Sequence, residues 1–210
     1  MTLELHHLRI PFLSSEGSAI WNQHLVFESG KFYHIHAVSG KGKSTLIQTL
    51  YGIHQEYHGE MHINQKPIAS GDLTHWTALR SQVLGIVFQD LRLIPELTVL
   101  QNIELKRNLN PVYPKEHVLN MLAQLGLEKK TAQACKTLSY GERQRVALVR
   151  ALSAPFQFLF LDEPFSHLDH KNIERAITLI DTEVRKRSAA ILLADLEVDS
   201  YFPYHQKLSL

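Results

Sequence analysis

Residues Ala37 to Thr45 read A-V-S-G-K-G-K-S-T, a pattern suited to holding an anion. Gly40 and Gly42 would let backbone N–H groups turn inward around a phosphate, at the positive end of a helix whose apolar face carries Leu46, Ile47 and Leu50. Lys43 would pair with the β- and γ-phosphates of a nucleotide, and Ser44 would offer its hydroxyl to Mg2+. The competing reading is a glycine-rich turn that only caps a helix. A second stretch, Phe158 to Pro164, reads F-L-F-L-D-E-P and sets two adjacent carboxylates at the end of a buried strand. Burying Asp162 beside Glu163 without a cation would be costly, and a metal ion near Ser44 removes that objection. Asp162 would then hold the ion while Glu163 polarises a water for attack on the terminal phosphate. Standing alone, the pair would also suit an exposed acidic turn. A third stretch, Leu138 to Leu152, reads L-S-Y-G-E-R-Q-R-V-A-L-V-R-A-L, in which Ser139 and Glu142 form a capping box on an amphipathic helix. The box explains the helix but not Gly141, which costs the first turn ~1 kcal/mol relative to alanine. A helix start with a serine hydroxyl and uncovered N–H groups is a second surface for phosphate.

These residues need elements to position them. Val83 to Phe88, Phe156 to Leu161 and Ile191 to Leu193 are short apolar runs that read as strands buried on both faces. Phe32 to Val38 is a fourth, interrupted by His34 and His36. Helical patterns between the runs predict a mostly parallel α/β sheet. Gln89, Asp162 with Glu163, and Ala194 with Asp195 each follow or end a strand, and open parallel sheets collect ligands at those carboxyl ends. Leu3 to Phe27 differs: strand-like pieces around Ser14, Ser15, Glu16 and Gly17 predict an antiparallel hairpin beside the main sheet. No clear strand lies between Thr98 and Leu152, where Val118, Leu119, Leu122 and Leu125 have helical spacing before Gly126. That region reads as a helical insertion between core strands. Ile173, Ile177 and Ile180 mark one face of a later helix, with Asp169 or a neighbour as N-cap.

Composition narrows the function classes. Lys plus Arg number 22 against 21 for Asp plus Glu in 210 residues, so no global field draws the chain to nucleic acid or anionic lipid. A hydrophobic share of 44% argues against a disordered chain. The single cysteine, Cys135, excludes an intramolecular disulfide framework and a Cys-based zinc cluster, and points to a reducing compartment. No run approaches the ~18 apolar residues that span a bilayer. The start carries Glu4, His6, His7 and Arg9 where a signal peptide would need an apolar core. The expectation is one cytoplasmic domain. His54, His58 and His62 recur every four residues, but Gly59 interrupts any helix there, so they are expected on the surface or in turns and not around a metal.

Together these motifs resemble the nucleotide-binding subunit of an ATP-binding cassette (ABC) transporter, over essentially the whole chain. G-K-G-K-S-T matches the Walker A motif, V-F-Q-D the Q-loop, L-S-Y-G-E the signature, L-F-L-D-E-P Walker B and S-H-L-D the D-loop, in that order. The resemblance implies an α/β P-loop NTPase with a mostly parallel core sheet and an N-terminal antiparallel β subdomain. A helical subdomain would cover roughly residues 91–152, within one ABC ATPase domain over residues 1–210. It implies ATP and Mg2+ as ligands, with Ser39, Gly40, Lys41, Gly42, Lys43, Ser44 and Thr45 around the phosphates. Phe12 falls where the family stacks an aromatic on adenine, the other reading being a core phenylalanine. Ser44, Gln89 and Asp162 would hold the metal; Glu163, with Gln89 and Lys43, would carry hydrolysis. A head-to-tail dimer, homodimer or heterodimer with another ABC ATPase, would bring Ser139 and Gly141 to the γ-phosphate of the partner's nucleotide. The remaining partner would be a separate integral membrane permease, which selects the cargo, with no nucleic acid involved. The chain would sit peripherally on the cytoplasmic face of the inner membrane.

Gln89 to Ile103, with G-E-R-Q-R, looks most like the subgroup serving lipoprotein release, bacterial cell division and macrolide export. There, Leu91, Leu93, Ile94 and Leu97 would either contact a cytoplasmic helix of the permease or pack within the insertion. Four positions depart from the family pattern. Ala37 replaces the first loop glycine, Tyr140 replaces the first signature glycine, Glu142 stands where many family members have glutamine, a common variation in the resembled subgroup, and Ala194 stands at the switch histidine, I-L-L-A-D-L-E against T-H-D-L-E. Loss of that histidine would slow hydrolysis while sparing ATP binding. A second reading follows, an ATP-binding regulatory or scaffold module with weak hydrolysis, in which His167 of the D-loop would partly replace the missing imidazole. A DNA-repair ABC protein is a third reading, for which the chain has no room for long coiled-coil insertions.

Overall fold

The apolar runs become strands of a sheet with both faces covered. The computed structural model describes residues 1–38, 40–196 and 201–210. Its central sheet has the order β6 (Leu84–Val87), β7 (Phe158–Asp162), β8 (Ala190–Asp195), β3 (Phe32–His36), β9 (Gln206–Ser209), and every pair is parallel. Side chains alternate between faces along each strand. Leu159, Leu161, Ile191 and Leu193 enter one core, while Phe158, Phe160, Leu192 and Ala194 enter the other. Both sides of β6, β7 and β8 are covered, so these strands read as apolar runs; β3 carries His34 and His36, and β9 at the edge is mostly exposed.

The second sheet is antiparallel, in the order β2 (His24–Glu28), β1 (Thr2–Arg9), β4 (His58–Ile63), β5 (Lys66–Pro67). Its strands bury one face only. Leu3, Leu5, Phe27, Met61 and Ile63 point into the core shared with α1 (Lys43–Leu50), and polar side chains alternate on the outside. The expected hairpin is therefore present as β1 and β2, but Ser14 to Gly17 carry no strand. Those serines and the glycine, at φ +72°, suit a turn, and the loop between the two strands instead carries Phe12 and Leu13 outward. His58 and His62 lie on β4, while His54 lies in the loop before it.

Three helices, α3 (Val99–Arg107), α4 (Lys115–Gln124) and α5 (Tyr140–Leu152), occupy the excursion between β6 and β7, which are neighbours in the sheet. Among the described residues this segment holds no strand, only an isolated bridge between Thr98 and Ala134. Val118, Met121, Leu122 and Leu125 are buried on the inner side of α4 and its end, whereas Leu119 is exposed, so Met121 takes the place expected for Leu119. Caps set the helix starts: Thr98 with Gln101 on α3, Ser139 with Glu142 on α5, and Asp169 on α6 (His170–Lys186), whose carboxylate accepts from Asn172 N at 2.9 Å. A further helix, α2 (Leu73–Gln82), begins at Asp72 without a marked apolar stripe and has no counterpart among the sequence expectations.

Candidate active site

The residue run after β3 folds back on itself before α1. Gly40 and Gly42 take φ of +82° and +94°, backbone that a side chain would strain and that suits a turn cradling an anion. Ala37, the residue in place of a family glycine, keeps a negative φ, so alanine fits there without strain. The Ala37 carbonyl accepts a hydrogen bond from Lys43 Nζ at 2.8 Å, which draws the ammonium back across the loop. Ser39 lies outside the described residues.

A cleft of about 380 Å3 opens beside this loop, lined by Phe12, Leu13, Gly40, Gly42, Lys43, Ser44, Thr45, Gln89 and Glu163. Phe12 is 66% exposed, which rules out a core role in this structure and places its ring at the cleft edge, edge-on to His54 at 5.9 Å. Lys41 stands exposed outside the lining. Two strand ends, those of β6 and β7, deliver the rest. Gln89 follows β6, and its Nε2 donates to Glu163 Oε2 at 3.0 Å while its Oε1 accepts from Ser44 Oγ at 3.3 Å. Lys43 Nζ lies 3.5 Å from Glu163 Oε1. Lys43 and Gln89, from separate parts of the sequence, thus meet at the Glu163 carboxylate, with Ser44 held to Gln89.

Asp162, the last residue of β7, is 2% exposed. Burial pushes its carboxyl up to about 6, against a hydrogen bond from Ser44 that favours the anion and with the adjacent Glu163 charge adding to the rise. Its Oδ1 is buried without a hydrogen-bond partner. An anionic oxygen so placed is stabilised by a cation, and Asp162, Ser44 and Gln89 together offer the hard oxygen donors that Mg2+ prefers. Glu163 sits at φ +47°, a left-handed conformation uncommon for a side-chain-bearing residue. Its N–H donates to the Ala194 carbonyl at 2.9 Å, and its own carbonyl accepts from Gln144 Nε2 at 3.2 Å.

Ser139 and Gly141 do not reach this cleft. They line a separate hollow of about 300 Å3 with Glu142, Arg145, His167, Leu168, Asp169 and Asn172. Tyr140 links the two: its hydroxyl donates to the Gln89 carbonyl at 3.0 Å, and its ring meets the His167 ring edge-on at 4.2 Å.

A family model described as ABC transporter matches residues 21–166. The chain is 32% identical over 196 residues to YbbA of Escherichia coli (strain K12), an ABC transporter ATP-binding protein, covering 91% of this chain and 86% of that one. The chain belongs to the ABC transporter family, as an ATP-binding domain. YvrO of Bacillus subtilis (strain 168), another ABC transporter ATP-binding protein, is 33% identical over 178 residues, 83% of this chain and 77% of YvrO. Among solved structures, the dimeric bacterial ABC transporter cassette MJ0796 superposes with a TM-score of 0.81 at 27% identity, over 93% of this chain and 88% of that one. MJ0796 is also known in a dimeric post-hydrolysis state with ADP and Pi.

The cleft and the Ser139 hollow are thus separate surfaces of one chain. Two residues around the cleft escaped the sequence reading. Leu13 packs so closely over Gly42 that a Cβ there would run into it. Gln144 is 1% exposed and ties Glu163, Ser166 and the His167 N–H together. Its signal was a polar residue on the same helical stripe as Ala147, Leu148 and Ala151. Ala194 is fully buried in the core that also contains α1, with Asp162 as its register partner on β7.

Proposed function

We propose that this chain is the ATP-hydrolysing subunit of an ABC transporter, closing as a head-to-tail dimer on two Mg·ATP and reopening after hydrolysis to drive a separate membrane permease. In this reading residues 1–210 form one ABC ATPase domain with a helical subdomain over roughly residues 91–152. The observation that carries it is the meeting of Lys43, Ser44, Gln89 and Glu163 within 3.0 to 3.5 Å contacts, above a buried Asp162 with an unpartnered oxygen. Phe12 offers its exposed face to adenine. Phosphates arriving at the loop would take Lys43 from the Ala37 carbonyl and from Glu163, which frees the Glu163 carboxylate to orient and deprotonate a water. Ser44, Gln89 and Asp162 would hold Mg2+, which supplies charge neutralisation across the β- and γ-phosphates. Gln144 holds the backbone of Glu163 from below and the D-loop from the side.

The dimer reading draws on the dimeric MJ0796 cassette, and Ser139 and Gly141 would complete the partner's site. For the permease, a groove of about 230 Å3 lined by Tyr51, Phe88, Arg92, Leu105, Lys106 and Arg150 lies next to the Q-loop. Leu91 is buried in the helical insertion, with Leu93 packed against the same core, while Ile94 is exposed and would be the one open to the permease. No helix among the described residues is long and apolar enough to cross a membrane, which agrees with peripheral attachment through that groove on the cytoplasmic face.

Ala194 puts no imidazole beside the cleft, and His167 lies with Ser139 and Gly141 instead, where it would face the partner's nucleotide. Hydrolysis slower than in histidine-bearing relatives follows. Steady-state ATP turnover of the purified chain tests the reading: Mg2+-dependent hydrolysis should fall at least ~100-fold in Glu163→Gln, and Ala194→His should raise it. ATP binding with no turnover in either the native chain or Ala194→His would favour a regulatory module.

A further inference from the structure

The outer face of the antiparallel sheet carries a histidine cluster that nucleotide chemistry does not use. Glu4 and His6 follow each other at the two-residue period of β1; His62 is the register partner of Glu4 on β4, and His24 is the register partner of His6 on β2. Inward side chains at the intervening positions, Leu5 and Met61, are buried, which fixes the polar set on the opposite face. The His6 ring lies 4.4 Å from that of His62 and 4.6 Å from that of His24, between centroids.

The contacts within the cluster are incomplete. His6 Nε2 is buried without a hydrogen-bond partner, and the nearest carboxylate oxygen, Glu4 Oε2, stands 3.5 Å away, too far for a good hydrogen bond. The same distance matches the edge of a tetrahedral ligand set, about 3.3–3.5 Å when metal–ligand bonds are about 2.0–2.1 Å. One donor atom from each of Glu4, His6 and His62 can be chosen so that all lie within 4.8 Å of one another. The outer partners are in place as well. Thr2 Oγ1 donates to Glu4 Oε1 at 2.8 Å, leaving Oε2 toward His6, and Glu60 Oε2 lies 2.8 Å from His62 Nε2 and orients that ring.

We propose that Glu4, His6 and His62 form a binding site for a divalent transition-metal ion of the Zn2+ class. Two imidazoles and one carboxylate are the ligand types such an ion takes, and an oxygen-preferring ion such as Mg2+ would not choose them. Bound there, the ion joins β1 to β4 across the register pair Glu4 and His62, and so braces the sheet that carries the Phe12 loop. Of the three regularly spaced histidines, only His62 takes part; spacing in sequence did not bring them together, because a sheet pairs residues across neighbouring strands and not four apart along one.

The test is calorimetric titration of Zn2+ into the tag-free chain, stripped with chelator and held in excess Mg2+ to fill the oxygen donors beside Ser44. One Zn2+ per chain should bind, and His6→Ala and His62→Ala should each weaken binding at least ~10-fold. His170→Ala, at a histidine 89% exposed on α6, should leave it unchanged. Zn2+ should raise the melting temperature of the native chain but not of His62→Ala, and replacement by Co2+ should give the visible absorption of a tetrahedral site. No saturable binding, or binding that survives both histidine substitutions, would overturn the proposal; circular dichroism of the variants separates a lost ligand from a lost fold.

Discussion

At the scale of single residues, the site is built from groups that are uncomfortable without a ligand. Asp162 is the clearest. Its carboxyl titrates near 6 in the fold against 3.8 ordinarily, so between those values the folded chain holds a proton that the unfolded chain has lost. The stability linked to that proton is fully present below the ordinary value and is lost as pH rises through about 6, a loss of at most about 3 kcal/mol. Without nucleotide or divalent ion, Asp162→Asn should therefore melt at a higher temperature than the native chain above pH 6 and converge with it near pH 4. Equal melting at both ends of that range would mean the buried charge is already compensated. The carboxylates, the lysine and the loop glycines were legible in the sequence because their types and spacing declare phosphate chemistry. Gln144 was not, since a glutamine on a helix becomes meaningful only when β7 and the D-loop close over it.

Elements add constraints that no motif expresses. Gly141 opens α5, where a phosphate-facing role accounts for it only in a dimer, yet a reason already exists within one chain. A Cβ on Gly141 would stand 2.8 Å from the His167 carbonyl oxygen, closer than a carbon tolerates, and the obstacle is backbone. Helix propensity favours Gly141→Ala by ~1 kcal/mol, whereas overpacking against a fixed carbonyl costs about 1–3 kcal/mol. The clash should win. A denaturant titration is expected to place the midpoint of Gly141→Ala below that of the native chain, and a higher midpoint would show that the D-loop yields freely. The inner strands of the parallel sheet were readable because burial on both faces makes them apolar, as in F-L-F-L, whereas the edge strand β9 buries only Leu208 and was not expected. By contrast α2 lacks an apolar stripe and was not, and the serines at 14 and 15 were read as strand because turn residues beside a hairpin mark its position only loosely.

For the whole molecule, the carboxyl ends of β6, β7 and β8 converge on the loop before α1, and in the proposed dimer that convergence would make one half of a catalytic site. The half it would meet on the partner, Ser139 and Gly141, opens on a different hollow of the same chain. In that proposal neither surface would be complete alone. The architecture of two sheets and a helical excursion followed from the order of motifs and apolar runs; the separation of the two half-sites did not, because distance between surfaces is a property of packing. Glu163→Gln keeps the shape of the site and removes the proposed base, so ATP should bind and stay. The most direct measurement is the mass of purified Glu163→Gln by light scattering after gel filtration. In saturating Mg·ATP it should double relative to the nucleotide-free chain. A mass that stays at one chain, with ATP demonstrably bound, would contradict the two-half-site arrangement.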